Sequence, residues 1–224
     1  MNKELLEAAA VFSTLAVALA ILIHSCDALS TDSPAVAELD RAVIRLVTTG
    51  SERHAIAPYP HHPITRDALA REALARACVE AGSAHAVDPW LLLAIAFREG
   101  SFGLSTEGAL GERSTFQFMP STSQHVARTV EPRCDLDTVT GAAYCAAGLL
   151  AQGREKCDGD LRGAFLRYAT GRPACRPWNA KTRWLVRDRF SLAKLLQRIG
   201  TNQTDYSALD AGVLGEAAAE RSYP

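Results

Sequence analysis

Apolar residues along the middle of the chain recur at the spacing of helices rather than of strands. After the Ser33-Pro34 pair, they recur every three or four residues until Gly50. This spacing places them on one face of an amphipathic helix, and a serine followed by a proline is typical of a helix N-terminus. The sequence therefore predicts a first helix that ends at Gly50 and faces inward through Val36, Leu39, Val43 and Leu46.

Six further helices are predicted from apolar periodicity, capping residues and glycine stops. They cover residues 66–81 (capped by Thr65, ended by Gly82), 88–99, 121–129 (begun by a capping box), a helix capped by Asp137 or Thr138 and ending at Gln152, 160–169, and 179–199. In the first of these we expect four side chains to face inward: Leu69, Leu74, Cys78 and Val79. Period-two alternation is confined to a short hairpin between Gly103 and Gly111. The predicted fold class is therefore mostly α.

The helix that starts at Asp88-Pro89 has no polar face between Trp90 and Phe97. A helix that is hydrophobic all round belongs at the centre of a core. It ends in Glu99, directly before a glycine, so a carboxyl group stands where the apolar wall stops. Apolar surroundings and the negative end of the helix dipole both favour the uncharged form of such a group. A glutamic acid that stays protonated near neutrality is suited to general acid catalysis.

The loop after Glu99 is suited to an extended polar ligand. Four glycines fall between residues 100 and 111, and they allow a ligand to approach the backbone closely. Candidate donors to sugar hydroxyl and acetamido groups are Ser101, Ser105, Ser114, Thr115 and Gln117. Candidate apolar faces for the same ligand are Phe102, Phe116 and Phe118.

An N-terminal apolar segment stands apart from this body. Residues 8–23 carry no charge, so we predict that residues 1–28 form a signal peptide or membrane anchor. Glu4 and Glu7 are unusual in a signal, and a buried helix is the alternative. The residues before Cys26 loosely resemble a lipobox, and the Ala-rich span resembles the releasable anchors of some phage endolysins. All of the exported forms place the body in the periplasm or cell envelope.

Composition divides the rest of the chain into three parts. Residues 29–64 are predicted to hold the first helix and a Pro/His-rich linker, residues 65–200 the compact domain, and residues 201–224 a flexible tail. His61-His62 in the linker has no H-E-x-x-H motif and no nearby acidic partner, so no metal site is predicted there.

Cysteine usage agrees with an exported protein. Cys134, Cys145, Cys157 and Cys175 fall within 42 residues, where two disulfides could form in any of three pairings. Cys78 lies in the apolar periodicity of a helix and is predicted to be a buried free thiol.

Charge is balanced, with 24 basic and 25 acidic residues, and gives no indication of a nucleic-acid partner. The last helix carries a basic face that we interpret as solvated, with acidic stem peptides or lipid headgroups as alternative partners. This face consists of Lys181, Arg183, Arg187, Arg189, Lys194 and Arg198.

Three segments resemble the soluble lytic transglycosylase family. DPWLLLAIAFREGSF is similar to that family's helix and E-S-x-F segment, and GALGERSTFQFMPST to its G-A-x-G segment with a later Q-(L/F)-M-P-x-T. LRGAFLRYATG resembles its A-x-x-Y-N-x-G segment, and the likeness covers roughly residues 66–200. The most specific part is the ordered set Glu99, Gly108-Ala109, Gln117 and Met119-Pro120.

The resemblance implies a lysozyme-like domain that cleaves peptidoglycan glycan strands between N-acetylmuramic acid and N-acetylglucosamine. It implies that Glu99 is the single catalytic acid and base, that Gln117 contacts the substrate, and that Tyr168 lines the cleft. No metal or organic cofactor is expected. Gln117 capping its own loop and Tyr168 serving only in the core are the alternative interpretations.

The chain departs from the family pattern at several positions. Gly100 and Ala169 stand where the family usually has serine and asparagine, and Glu112, Arg113 and Ser114 are additional residues. Glu112 or Glu107 in the cleft would supply a second carboxylate and make the protein a hydrolytic muramidase. A simple pairing of Glu112 with Arg113 is the alternative. A third hypothesis is a non-catalytic glycan-binding or scaffold protein of an envelope machine, and an envelope-machine protein is also an expected partner.

Overall fold

The computed structural model describes residues 33–103 and 107–203. The predicted signal or anchor at residues 1–28, Ser105 and all but three residues of the predicted tail lie outside this range. Eight α-helices account for most of what is described, which confirms the mostly α fold class. They are α1 (Pro34–Thr49), α2 (Pro63–Arg66), α3 (Ala68–His85), α4 (Pro89–Gly100), α5 (Pro120–Thr129), α6 (Val139–Lys156), α7 (Leu161–Thr170) and α8 (Ala180–Gly200).

Helix α4 lies at the centre of the core, as its sequence predicts. Every residue from Trp90 to Ala96 is buried, and the helix packs against α3, α6 and α8. Helix α6 packs against α3 and α7 on the other side. Helix α1 packs against α8 and α3, and its buried apolar face joins the same core. The boundary between the segment 29–64 and the compact domain 65–200 stays a prediction.

Side-chain caps fix the start of four helices where the sequence places them. The Asp88 carboxylate accepts from the Trp90 amide at 3.0 Å, and the Thr138 hydroxyl accepts from Gly141 at 3.0 Å. Asp160 caps α7, and Asn179 forms a reciprocal capping box with Thr182. These bonds satisfy backbone amides that have no partner within the helix. Helix α7 ends at Gly171, which adopts the left-handed conformation with φ 64°.

Several predicted boundaries are wrong. Helix α3 is capped by Asp67 rather than Thr65, so Leu69 lies in its first turn and is 79% exposed instead of inward. The helix also continues past Gly82 to His85. A Cβ at residue 82 would stand 2.7 Å from the Val87 carbonyl oxygen, so the glycine allows this close approach. Helix α5 starts at Pro120 without any side-chain cap, and α6 continues beyond Gln152 to Lys156.

Strand-type pairing in the described residues is limited to isolated bridges. Arg113 pairs with both Glu107 and Phe118, and Ser51 pairs with Ile56. The turn before Arg113 is closed by the Gly108 amide, which donates to the Glu112 carbonyl at 2.7 Å. The hairpin predicted between Gly103 and Gly111 thus gives way to a tight turn displaced toward residue 113, and residues 104–106 are not described.

Two disulfides select one of the three open pairings. Cys134–Cys145 joins the loop after α5 to α6, and Cys157–Cys175 joins the end of α6 to the loop after α7. Cys78 is a buried free thiol as predicted, and burial raises the pKa of that thiol. Within the described ranges, no helix is long and apolar enough to cross a membrane.

Candidate active site

Glu99 lies at the exposed end of the buried helix α4. Its side chain is 29% exposed, whereas the helix residues from Trp90 to Ala96 are buried. The chain leaves the helix through two left-handed residues, Ser101 at φ 49° and Phe102 at φ 61°. The carboxylate therefore stands at the boundary between the core and solvent, as the sequence predicts.

Close packing explains why Gly100 replaces the usual serine. A Cβ atom at residue 100 would lie 2.5 Å from the carbonyl oxygen of Thr115 and 2.7 Å from its Cα. Both distances are well below van der Waals contact, and the atoms that would have to move belong to a buried backbone. The glycine thus brings the end of α4 against the segment that carries Gln117.

Tyr168 shares its surroundings with Glu99. Its hydroxyl donates to the carbonyl of Phe116 at 3.1 Å. Burial raises the pKa of Tyr168 well above its usual value, and the negative charge of Glu99 adds to that rise. A hydroxyl that stays protonated beside the carboxylate can donate a hydrogen bond throughout the neutral range.

Gln117 and Glu112 both brace the turn around Gly108. The Gln117 amide nitrogen donates to the Ser114 carbonyl at 2.9 Å, and a Cβ at residue 108 would lie 2.6 Å from the Gln117 amide oxygen. One carboxylate oxygen of Glu112 accepts from the Leu110 amide at 3.0 Å. Gln117 is half-buried with φ 52°, which is consistent with a role in holding this turn. A Cβ at residue 108 would meet the ends of both side chains, so any other residue there would displace them.

Two predictions about this loop are wrong. The Phe116 ring is 1% exposed, so it belongs to the core and cannot offer a face to a ligand. The Phe102 and Phe118 rings are also buried, so they too belong to the core. Arg113 pairs with Asp137 at 2.5 Å rather than with its neighbour Glu112.

Ser101 and Glu107 are exposed, and Ser101 is the nearer of the two to Glu99 along the chain.

Sequence reasoning missed a buried set of charges behind Glu99. One guanidinium nitrogen of Arg189 (Nη2) donates to Glu99 Oε1 at 2.7 Å, and the other (Nη1) donates to Asp188 Oδ2 at 2.7 Å. Arg98 binds the same Asp188 carboxylate at 3.0 and 2.6 Å. Burial would raise the pKa of Asp188, but hydrogen bonds from His54, Arg98 and Arg189 outweigh it and lower the pKa to about 2.

The position of Arg189 was detectable in the sequence. It falls on the apolar stripe of α8 that contains Val186, Leu192 and Leu196, where a solvated side chain is out of place. It is 6% exposed, so the interpretation of the whole basic face as solvated is wrong at this residue. Lys181, Arg183 and Lys194 are exposed, in agreement with that interpretation.

Two histidines from the segment before α3 lie against this region. The His54 carbonyl accepts from Arg98 at 2.8 Å, and its ring nitrogen Nδ1 lies 3.8 Å from Asp188. The His62 ring accepts from the Ile64 amide at 3.1 Å and also bonds the Ser101 backbone. Burial lowers the pKa of His62, and the bond to Ser101 partly offsets that effect. Within the described ranges, no three His, Cys, Asp or Glu side chains gather closely enough to hold a metal ion.

Comparison with known families assigns most of the helical body to one family. The model of a family described as the transglycosylase SLT domain matches residues 76–190, just over half of the chain. The matched range begins inside α3 and ends inside α8, so it includes Glu99, Gln117, Tyr168 and Arg189. Helix α1 and the two histidines lie before it. No curated protein sequence matches the chain significantly.

Proposed function

This chain belongs to the transglycosylase SLT domain family, and we propose that it is a peptidoglycan lytic transglycosylase that uses Glu99 as its only acid and base. The family supports a glycan-cleaving activity on peptidoglycan in general. The proposal is more specific in three respects. It assigns the bond between N-acetylmuramic acid and N-acetylglucosamine, it assigns a 1,6-anhydro product, and it assigns the residues.

The proposed reaction begins with proton transfer from the Glu99 carboxylic acid to the bridging oxygen. The bond from the muramyl C1 to that oxygen breaks, and the N-acetylglucosamine unit leaves with a free 4-hydroxyl. The Glu99 carboxylate then removes the proton of the muramyl C6 hydroxyl, whose oxygen bonds to C1 and closes the anhydro ring. Glu99 ends protonated as it began, and no water is consumed.

One observation supports this proposal above the others: a partly exposed carboxylate ends the buried helix α4 and shares its surroundings with Tyr168. The Glu99 carboxyl group is therefore open to solvent on one side and packed against protein on the other. An acid that acts on a polymeric substrate needs this arrangement. Ser101 on the exposed side and Gln117 on the turn are the proposed substrate contacts. Tyr168 is proposed to hold the loop at Phe116 and to face the acid.

Binding of Glu112 within its own turn favours the single-carboxylate mechanism over the hydrolytic alternative. Its carboxylate accepts from the Leu110 amide and lies over Gly108, so it supports the loop. A hydrolase would need a second carboxylate free to activate a water on the far side of the sugar. We propose for Glu112 a supporting role at the cleft margin.

Location and partners follow as further proposals. Two disulfides fit an oxidising compartment, which supports a periplasmic or cell-envelope site with attachment through residues 1–28. The glycan strand is the substrate, and a protein of an envelope machine remains a proposed partner.

The experiment compares the full chain with two glutamine variants on purified sacculi. Glu99→Gln should abolish release of muropeptides while leaving the thermal unfolding midpoint close to that of the wild type. Glu107→Gln is the matched control, because Glu107 is exposed and should be dispensable. Normal activity of a folded Glu99→Gln protein would refute the assignment, and loss of activity in Glu107→Gln would favour a second carboxylate.

A further inference from the structure

We propose that Arg189 is a positioning residue that fixes the Glu99 carboxylate and lowers the cost of its losing a proton during the reaction. This inference rests on the proposed function of Glu99. Its direct support is the 2.7 Å bond from Arg189 Nη2 to Glu99 Oε1, between residues 90 positions apart. The arginine is almost fully buried, whereas the glutamate is 29% exposed. The pair thus joins a fixed cation to an accessible acid.

Arg189 has little freedom to leave this position. Its other terminal nitrogen, Nη1, is bonded to Asp188, and its guanidinium lies 5.9 Å from the centre of the Phe165 ring. Its Nε is buried with no hydrogen-bond partner among the described residues. A buried donor without a partner is costly, so packing must hold the side chain where it is. The Arg189 guanidinium is therefore held in a fixed position beside Glu99.

Two adjacent pairs cross between helices α4 and α8. Arg98 of α4 binds Asp188 of α8 through both carboxylate oxygens, and Arg189 of α8 binds Glu99 of α4. Asp188 also bonds Arg189, so the four side chains form one connected chain of charges. The backbone carbonyl of His54 accepts from Arg98 and closes the far end. Helix α8 thus helps to hold the carboxylate of Glu99, which is itself carried by helix α4.

The chemical effect follows from the two protonation states of Glu99. A guanidinium binds a carboxylate more strongly than a neutral carboxylic acid, because the hydrogen bond is then charge-assisted. The Arg189 bond consequently strengthens while Glu99 transfers its proton to the bridging oxygen. An interaction that grows toward the transition state accelerates the reaction.

Several other charged or titratable groups lie around Glu99 and its partner Arg189. Arg98 lies on α4, Asp188 and Arg189 on α8, and Tyr168 on α7, while His54 faces Asp188 and His62 faces Ser101. With a pKa of about 2 Asp188 stays charged over the working range, and the raised pKa of Tyr168 keeps it neutral.

The test measures kcat and kcat/KM on sacculi against pH for the full chain and three variants. Arg189→Gln should lower kcat about tenfold to a hundredfold. The alkaline limb of the kcat/KM profile of this variant should move to higher pH, because Glu99 would then keep its proton up to a higher pH. Arg189→Lys keeps the positive charge but loses the planar guanidinium geometry. Its kcat should therefore fall, while the alkaline limb of its kcat/KM profile stays near the wild-type position. Arg183→Gln removes an exposed charge of the same helix and should match the wild type.

A second measurement separates this inference from the proposed function. The Glu99 carboxyl carbon can be titrated by NMR in selectively labelled protein without any substrate. Its midpoint should rise in Arg189→Gln and in the double variant Asp188→Asn/Arg189→Gln, which keeps the net charge of the Asp188–Arg189 pair at zero if the single variant folds poorly. Unchanged midpoints and an unmoved alkaline limb would overturn the role of Arg189. A wild type that releases no anhydro product would overturn the proposed function alone. His54→Gln and His62→Gln show whether a histidine causes any shift instead.

Discussion

The backbone of Thr115 passes so close to Gly100 that no side chain fits between them. A Cβ at residue 100 would stand 2.5 Å from the Thr115 carbonyl oxygen. This contact holds the end of α4, with Glu99, against the turn that carries Gln117. The family's usual serine is excluded here by packing, so its absence does not indicate a degenerate site.

Gly100→Ser should therefore destabilise the fold and reduce cleavage. Forcing a side chain into a packed site typically costs about 1–3 kcal/mol. Urea unfolding measures this loss, and sacculus digestion measures the activity. Gly171→Ser measures the separate cost of backbone strain, since Gly171 has φ 64° and open space around it. Gly100 is helical, so the loss at residue 100 should come from packing alone. If Gly100→Ser unfolds no more readily than the wild type, the close approach is not a real constraint.

Tyr168→Phe should weaken both the loop and the reaction. It removes the hydroxyl that donates to the Phe116 carbonyl at 3.1 Å and leaves that carbonyl without this donor. The expected loss of unfolding free energy is about 1 kcal/mol. We expect kcat/KM to fall more than this stability change explains, because the hydroxyl also lies near Glu99. An unchanged kcat/KM in a folded variant would reduce Tyr168 to a core residue.

Acid should destabilise the protein through Glu131. Hydrogen bonds from Arg133, together with one from His85, lower the pKa of this buried carboxylate to about 2, against 4.5 for a free glutamate. A depressed folded-state pKa contributes stability that is present above pH 4.5 and lost as the pH falls toward 2. The contribution is about 1–2 kcal/mol, because Arg133 is half exposed and solvent screens the pair.

Glu131→Gln tests this assignment. The variant should be less stable than the wild type at neutral pH, and it should lose less stability between neutral and acid pH. Urea unfolding at a series of pH values measures both. The assignment fails if the two proteins lose stability in parallel as the pH falls.

Reduction of the disulfides should destabilise the domain by about 2–4 kcal/mol for each bridge. Cys157–Cys175 closes a longer segment than Cys134–Cys145, 18 residues against 11, so its loss should cost slightly more. Paired serine variants, compared with the wild type in a reducing agent, measure each contribution. If reduction leaves the unfolding midpoint unchanged, the bridges do not stabilise the domain.

Local signals in the sequence were sufficient for much of this fold. Asp88 was identified as a cap, and Thr138 as one of two candidates, because a cap depends on residues within one turn. The starts of the helices at Asp160 and Asn179 were placed correctly from the same local pattern. The central helix was identified from its uniform apolar composition. The same logic placed Glu99 at the margin of the core.

The errors arise where a distant backbone or side chain overrides the local rule. Gly82 was taken as a helix stop, but it serves as the point where Val87 approaches α3. Pairing of Arg113 with its neighbour Glu112 was the alternative interpretation, but Asp137 is the partner of Arg113. Arg189 was assigned to solvent, yet its partner Glu99 is 90 residues away in the chain. Pairing over such separations is not encoded in periodicity.

The most direct test of the central claim is digestion of sacculi in water labelled with ¹⁸O, followed by mass spectrometry of the released muropeptides. Cleavage by Glu99 alone closes the ring with the sugar's own hydroxyl, so the products should carry anhydro ends without label. N-acetylmuramic acid products that end in a labelled reducing end in place of the anhydro ring would show that water is the nucleophile and would contradict the account.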